Sequence, residues 1–187
     1  MQYTNVITTV IDLAALDSQI DSLGNFIRKN FINADVLINV AGTLISKDFT
    51  DTDSSEARVM METNFFGPAA LIRLIKPLMV NGAHIVNITS MGGFQGSSKY
   101  RGLSYYSASK AALACLTECL ALEFQSDGIK VNCLALGAVQ TEMLEEAFPG
   151  YKAPVSAKEM GEFIADFALT GHKVFNGKIL PVAVSNP

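Results

Sequence analysis

Short runs of β-branched and apolar residues alternate along most of the chain with stretches whose apolar positions recur every three to four residues. Residues 6–11, VITTVI, form the first strand-like run, and in residues 17–30 and just beyond Ile20, Leu23, Ile27 and Phe31 are spaced to share one side of a helix. Residues 35–40, DVLINV, are apolar almost throughout, the composition of a strand covered on both faces in a parallel sheet. A helical stretch running to about Met79 follows the capping candidates in residues 50–53, with Gly67-Pro68 marking a pause or kink. Residues 83–88, AHIVNI, are the third strand and lead into a glycine-bearing loop over 90–102. A long helix over 104–122 ends near Asp127-Gly128, a fourth strand covers 129–134, and 137–154 is mostly loop. A last helix over 157–169 and a fifth strand over 178–184 complete the chain. The alternation predicts an α/β fold, a doubly wound parallel sheet formed as a single domain over 1–187.

Within the helix over 104–122, Tyr106 and Lys110 stand four residues apart and so share a face, one turn from each other. An ammonium beside a phenol favours the phenolate, and a tyrosine with its ordinary pKa of about 10 exchanges protons poorly at neutral pH unless a charge lowers it. The pair is a candidate acid/base device, although an ordinary surface packing pair has the same spacing. Tyr105 has Ser109 as its fourth neighbour, so of the two tyrosines only Tyr106 has a cation at this spacing. In doubly wound sheets ligands bind beyond the carboxyl ends of the strands. There the sequence places Asn39-Val40-Ala41-Gly42, whose small residues admit a ligand to the backbone, then the hydroxyl pair Thr89-Ser90, and then the small-residue turn ALGAVQT over 135–141. Three strand ends and one Tyr/Lys helix make a coherent site.

Composition narrows the partners. The 187 residues, 49% hydrophobic, suffice for one packed core, and a net charge of −4 without a local Lys/Arg cluster gives no field for a nucleic-acid backbone. The longest apolar runs, 69–80 and 111–122, are interrupted by Arg73, Lys76, Thr117 and Glu118 and are too short to cross a bilayer. The opening MQYTNVITTVIDL has no basic region leading into an apolar core, so a cytoplasmic location with neither membrane nor nucleic acid as partner is expected. Cys115, Cys119 and Cys133 form no CxxC pair and read as buried free thiols. His84 and His172 lie at the edges of predicted strands and read as structural, so no metal site is expected.

These residues, in this order, resemble the short-chain dehydrogenase/reductase family across essentially the whole chain. Asn39-Val40-Ala41-Gly42 is similar to the family's Asn-Asn-Ala-Gly, with valine in second place. Tyr106-Ser107-Ala108-Ser109-Lys110 matches its Tyr-x-x-x-Lys, Ser90 its strand-end serine, and Asn64 in METNFFG the helix asparagine of its catalytic tetrad. The resemblance implies a Rossmann-like fold. It further implies an oxidoreductase that transfers hydride between NAD or NADP, which the sequence does not distinguish, and a small-molecule carbonyl or secondary alcohol. On this resemblance Tyr106 protonates or deprotonates the reacting oxygen, and Lys110 lowers the phenol's pKa and holds the nicotinamide ribose. Ser90 hydrogen-bonds the substrate carbonyl, and Asn64 keeps a water in the relay to bulk. Two hydroxyl donors aimed at an oxygen that gains negative charge stabilise it. Asp12-Leu13 resembles the family's acidic strand-end motif near the adenine. Asn39, Ala41, Gly42 and Gly137 fall at cofactor-binding strand ends, and Val139 and Thr141 at the positions that hold the carboxamide. Asp12 also reads as a cap for the following helix and Asn64 as a hydrogen bond between helices, while Thr89, Ser97, Ser98 and Ser104 are alternatives to Ser90. The family commonly pairs the helices matching 64–79 and 104–124, and their apolar content here leads to the expectation of a homo-dimer or homo-tetramer.

The sequence departs from the family pattern at its start. The family opens with a strand, a TGxxxGxG turn and a helix whose N-terminus receives the pyrophosphate. The residues before Asp12, MQYTNVITTVI, hold nothing of the kind, so the chain reads as N-terminally incomplete, lacking the first βαβ unit. In the strand order 3-2-1-4-5-6, that leaves residues 6–11 without their neighbour and makes 35–40 an exposed apolar edge. Leu136 stands where proline is usual before Gly137, and the loop from Ser90 to Tyr106 is longer than usual. A cofactor-deficient remnant, acting as a non-catalytic subunit or binding module, is the alternative function. Leu144, Phe148 and Tyr151 in the segment 143–151 read as an apolar lid.

Overall fold

Stretches of the chain that are apolar on two sides form the central strands, and stretches apolar on one side form the helices that cover them. The computed structural model describes residues 5–184; residues 1–4 and 185–187, which carry the outer ends of the opening and closing stretches read above, lie outside the described residues. The chain runs through α1 (Ile20–Asn30), β1 (Ala34–Asn39), α2 (Ser54–Met61), α3 (Gly67–Ile75), β2 (Met79–Ser90) and α4 (Ser104–Glu123). It continues through β3 (Lys130–Leu136), β4 (Val139–Gln140), α5 (Glu142–Ala147), β5 (Val155–Ser156), α6 (Ala157–Thr170) and β6 (Ile179–Val182). Four strands form one parallel sheet in the order β1-β2-β3-β6, and β4 and β5 form a separate two-stranded parallel ladder. The register sets Val36 beside His84, Ile85 beside Val131 and Ile88 beside Leu134.

Alternate strand residues serve opposite layers. Ile85 and Val131 pack with Ile72 of α3 and Ala121 of α4, whereas Val86, Ile88 and Leu134 pack with Met160, Ile164 and Phe167 of α6. Cover on both faces is why AHIVNI and its neighbour read as apolar throughout. A third cluster joins Leu23 and Ile27 of α1 to Leu16 and to Ala70 of α3. Helix starts follow local capping: Asp53 with Glu56 opens α2, and Ser156 with Glu159 opens α6, each as a reciprocal capping box.

Four expectations are corrected. Residues 6–11 form no strand: they pair with nothing among the described residues and leave Val6 65% and Val10 96% exposed. A strand is held by its neighbour's ladder, and the neighbouring strand that the family order supplies is absent from the sheet. β1, as expected, occupies an edge. The helical region before β2 is interrupted by a π-helical turn, Glu62–Phe66, just ahead of Gly67-Pro68, and its α-helix ends at Ile75 because a 3-10 turn, Lys76–Leu78, accommodates Pro77. The segment expected to be mostly loop contains α5, whose six residues are too few for a periodic signal. Finally, Cys115 and Cys119 are exposed on the outer side of α4, and only Cys133 is a buried thiol.

His84 is fixed by hydrogen bonds at both ring nitrogens. His84 Nδ1 lies 2.9 Å from the Ala168 carbonyl, and its Nε2 lies 3.0 Å from Asn132 Nδ2. The Asn132 amide is oriented by accepting from the Lys178 N–H and donating to the Phe175 carbonyl, so it can only donate to His84. That geometry holds the neutral tautomer, and burial lowers the His84 pKa. Between the depressed folded value and the ordinary value of about 6.5, the unfolded chain binds more protons than the folded one. Stability is therefore expected to fall as pH drops below about 6.5, and denaturant titrations across that range should show the dependence weakened in His84→Gln. A second expectation concerns Gly161, which sits inside α6 with open space around the position of a Cβ. Gly161→Ala should raise the stability by about 0.5–1 kcal/mol, read from the shift in denaturation midpoint.

Candidate active site

The end of β2 and the start of α4 bring three of the sequence candidates together. Ser90 is the last residue of β2; its hydroxyl accepts from the Gly92 N–H at 3.1 Å and lies close enough to the Tyr106 phenol to oppose the upward push of burial on its pKa. The loop after Ser90 lies directly on α4, because a Cβ on Gly93 would fall 2.7 Å from the Ala111 nitrogen. Glycine there sets how closely Ser90 can approach the first turn of α4.

Lys110 is 4% exposed, and its Nζ donates to the Ile88 carbonyl at 3.1 Å while standing 6.0 Å from the centre of the Tyr106 ring. Burial lowers its pKa to about 8. The Tyr106 pKa is raised: burial pushes it up, and the Ser90 hydroxyl opposes this only in part. The net shift is upward in the folded chain, with burial as its largest cause. The ammonium is drawn toward Ile88 and faces the ring, and desolvation of the phenolate dominates. Tyr106 is therefore a neutral phenol at neutral pH, a proton donor.

Asn64 enters the site through the π-helical turn, which carries an extra residue and turns this side chain fully inward, 0% exposed. Its Oδ1 accepts from the Thr43 N–H at 2.8 Å, and its Nδ2 donates to the Thr43 carbonyl and to Ser109 Oγ, each at 2.9 Å. Ser109 Oγ in turn donates to the Tyr106 carbonyl at 2.7 Å. Both amide hydrogens are engaged, so Asn64 ties the segment after β1 to α4, which agrees with its reading as a hydrogen bond between elements. Gly42 passes through the same junction: a Cβ there would lie 3.0 Å from Lys110 Nζ and 3.1 Å from Asn64 Oδ1.

A cavity of about 390 Å³ opens onto these groups, and Gly42, Ser90, Tyr106, Lys110, Gly137, Val139 and Thr141 all line it. Leu13, Asn39 and Ala41 line a different hollow of about 250 Å³. Asn39 Nδ2 donates to Asn87 Oδ1 at 2.8 Å and Asn87 Nδ2 to Thr117 at 2.9 Å, which leaves the buried Asn39 Oδ1 without a partner. Asp12 lines neither space; its carboxylate accepts from the Ala14 N–H at 2.9 Å and caps the 3-10 turn Leu13–Ser18, the second of its two readings. Among the alternatives to Ser90, Thr89 faces the Cys133 thiol at 3.0 Å, Ser97 bonds the Phe94 carbonyl, and Ser98 and Ser104 are exposed. Thr141 caps α5 by accepting from the Leu144 N–H, so its hydroxyl has a local partner.

Sequence reasoning missed Ser109 and Thr43, the partners that hold Asn64, and the cavity wall formed by Leu44, Tyr100, Leu103 and Met160. A serine in mid-helix that bonds a carbonyl of the preceding turn is the one local signal for Ser109. The wall residues come from distant segments and carry no pattern of their own. No described helix is long and apolar enough to cross a membrane.

The sequence pattern of the short chain dehydrogenases matches residues 2–152. The Danio rerio protein dehydrogenase/reductase SDR family member 7B is 43% identical over 126 residues, which are 66% of this chain and 40% of its own, so the chain spans less than half the length of that relative. A short chain dehydrogenase from Burkholderia cenocepacia in complex with NADP superposes with a TM-score of 0.81 at 21% identity, over 93% of this chain and 74% of its own. A 4-hydroxyisoleucine dehydrogenase complexed with NADH superposes with a TM-score of 0.76 at 23% identity, over 92% and 77% respectively. At these identities the structural likeness speaks to the fold, a Rossmann-like parallel sheet.

The buried ammonium gives this site a stability signature. Because the Lys110 pKa is depressed in the folded chain, the unfolded chain binds more protons between about pH 8 and 10.5, and stability is expected to rise with pH across that window. Lys110→Met should therefore be more stable than the parent at pH 7 by about 1–3 kcal/mol, with the gain shrinking toward pH 10; thermal melts at both pH values measure it.

Proposed function

The chain belongs to the short-chain dehydrogenase family, and from that membership we propose that it is an NAD(P)(H)-dependent oxidoreductase that interconverts a carbonyl and a secondary alcohol, with Tyr106 as the acid/base. The observation that carries this reading is the convergence of Ser90, Tyr106 and Lys110 on one cavity, with the buried Lys110 ammonium 6.0 Å from the centre of the Tyr106 ring.

The nicotinamide, when bound, supplies or accepts the hydride. In reduction, a substrate carbonyl oxygen sits against the Ser90 and Tyr106 hydroxyls, and negative charge develops there as the carbon gains hydride. Tyr106 holds its proton at neutral pH because burial raises its pKa, and it donates that proton to the oxygen to give the alcohol. The phenolate left behind is stabilised by Lys110 and the Ser90 hydroxyl, then reprotonated from bulk. Asn64 has both amide hydrogens engaged, so its side chain positions the Gly42 segment and offers no free donor to a relay water.

The residues present fit the nicotinamide and ribose end of the cofactor: bare backbone at Gly42 next to Lys110, then Gly137, Val139 and Thr141 across the same cavity. Three observations favour a second reading, a cofactor-deficient binding subunit. Asp12 is spent on its own turn, Leu13, Asn39 and Ala41 line another hollow, and no described TGxxxGxG turn joins a strand to a helix. The same proposal includes a homo-dimer or homo-tetramer built on the apolar outer positions of residues 64–79 and 104–124, where Phe66 and Leu122 are exposed; light scattering reads it.

NADH and NADPH titrations followed by fluorescence separate the two readings. Binding in both the parent and Tyr106→Phe, with the rate on ketones lowered at least about 10²-fold in the variant, is the expected outcome. Absence of binding at millimolar cofactor removes the enzyme reading for this chain and leaves the binding subunit.

A further inference from the structure

Two segments close the cavity opposite the Ser90 and Tyr106 hydroxyls. One is α5 with the residue after it, and the other is the end of the loop that precedes α4; Met143, Leu144 and Phe148 line the cavity from the first, Tyr100 and Leu103 from the second. α5 is two-sided. Glu142, Glu145 and Glu146 are exposed, whereas Met143, Leu144, Ala147 and Phe148 turn inward and are only half-buried. Their apolar surface faces the cavity instead of a packed core, and such surface gains from being covered.

This wall is preformed. The β4–β5 ladder closes the base of the segment, Thr141 caps α5, Gln140 Oε1 accepts from the Ala153 N–H at 2.9 Å, and Glu145 Oε1 accepts from the Gly150 N–H at 3.2 Å. The facing loop is pinned as well: the Lys47 N–H donates to the Gly102 carbonyl at 3.0 Å, and Arg101 pairs with Asp48. The two walls meet where the Tyr100 and Phe148 rings stand edge to face, 5.9 Å apart and at 79°. Each wall is thus held by its own hydrogen bonds, and an occupant need not order them first.

Charge narrows the occupant further. Among the described residues Lys110 is the one charged residue lining the cavity, where its Nζ donates to the Ile88 carbonyl, and no described arginine lines it; three carboxylates stand on the outer side of α5. An anionic group lying against Tyr100, Leu144 and Phe148 would be desolvated there beside apolar and aromatic side chains, with no cation in that wall. We propose that the substrate carries an uncharged apolar chain or ring on the carbon next to the reacting carbonyl, gripped between Tyr100, Leu144 and Phe148, and that these three residues set specificity. This rests on the hydride-transfer reading only for the identity of the reacting group.

The test measures binding apart from turnover. The neutral fluorophore N-phenyl-1-naphthylamine is bound to the full chain and displaced by heptan-2-one or by 5-oxohexanoate, which is of similar length and ends in a carboxylate. Heptan-2-one should displace it at a concentration at least about tenfold lower, and Leu144→Asp and Phe148→Ala should each raise that concentration by about tenfold with little change in melting temperature. Equal displacement by the two ketones, or indifference to both wall substitutions, overturns the proposal. Selective displacement of the probe without NAD(P)H-dependent reduction of heptan-2-one sinks the hydride-transfer reading and leaves the apolar cavity standing.

Discussion

A buried cation organises this molecule. The Lys110 ammonium lies between the end of β2 and α4 with the Ile88 carbonyl as its hydrogen-bond acceptor, in surroundings that lower its pKa to about 8. Placing an ammonium there costs stability, and the surrounding geometry follows from limiting that cost. Gly42 must lack a side chain so that the segment after β1 can pass Lys110 Nζ, and Asn64 must turn inward to fasten that segment to Ser109. Gly93 must let the serine loop lie on α4 so that Ser90 reaches Tyr106. None of these is a concession to packing, since an apolar residue at 110 would fill the space with less penalty. The expense is intelligible if the cation has chemical work beside a phenol.

The same arrangement separates two roles that the Tyr/Lys spacing alone had merged. A lysine one turn from a tyrosine invites the idea that it lowers the phenol's pKa, yet burial acts on both groups and in opposite senses, raising that of Tyr106 and lowering that of Lys110. The phenol therefore rests protonated, and the ammonium matters for the phenolate once it forms. Around this centre the sheet is asymmetric in its completeness. β2 and β3 are covered on both faces, whereas β1 is an edge strand and residues 6–11 leave apolar side chains in solvent.

How much was legible varies by the range of the signal. Alternation of strand and helix, the cap candidates that include Asp53 and the end of α4 were readable because each is written within a few residues. Tyr106, Lys110 and Ser90 were readable because strand ends and helix periodicity put them at one edge of the sheet. The π-helical turn was not, since the extra residue that directs Asn64 inward leaves no mark beyond a nearby glycine and proline. α5 was missed for its length, and residues 6–11 were misjudged because β-branched composition describes a willing strand but does not supply a partner.

The sequence by itself determined the fold class, the main alternation of strand and helix and the candidates for acid/base chemistry, since hydrophobic period, caps and side-chain identity are local properties of the chain. Tertiary structure alone decided the protonation states of Tyr106 and Lys110, the commitment of Asn64 and Asp12 to neighbouring backbone, and the apolar wall that Tyr100 and Phe148 complete. Those depend on burial and on contacts between segments up to tens of residues apart. Desolvation and cross-chain hydrogen bonding come into being only when the chain has folded.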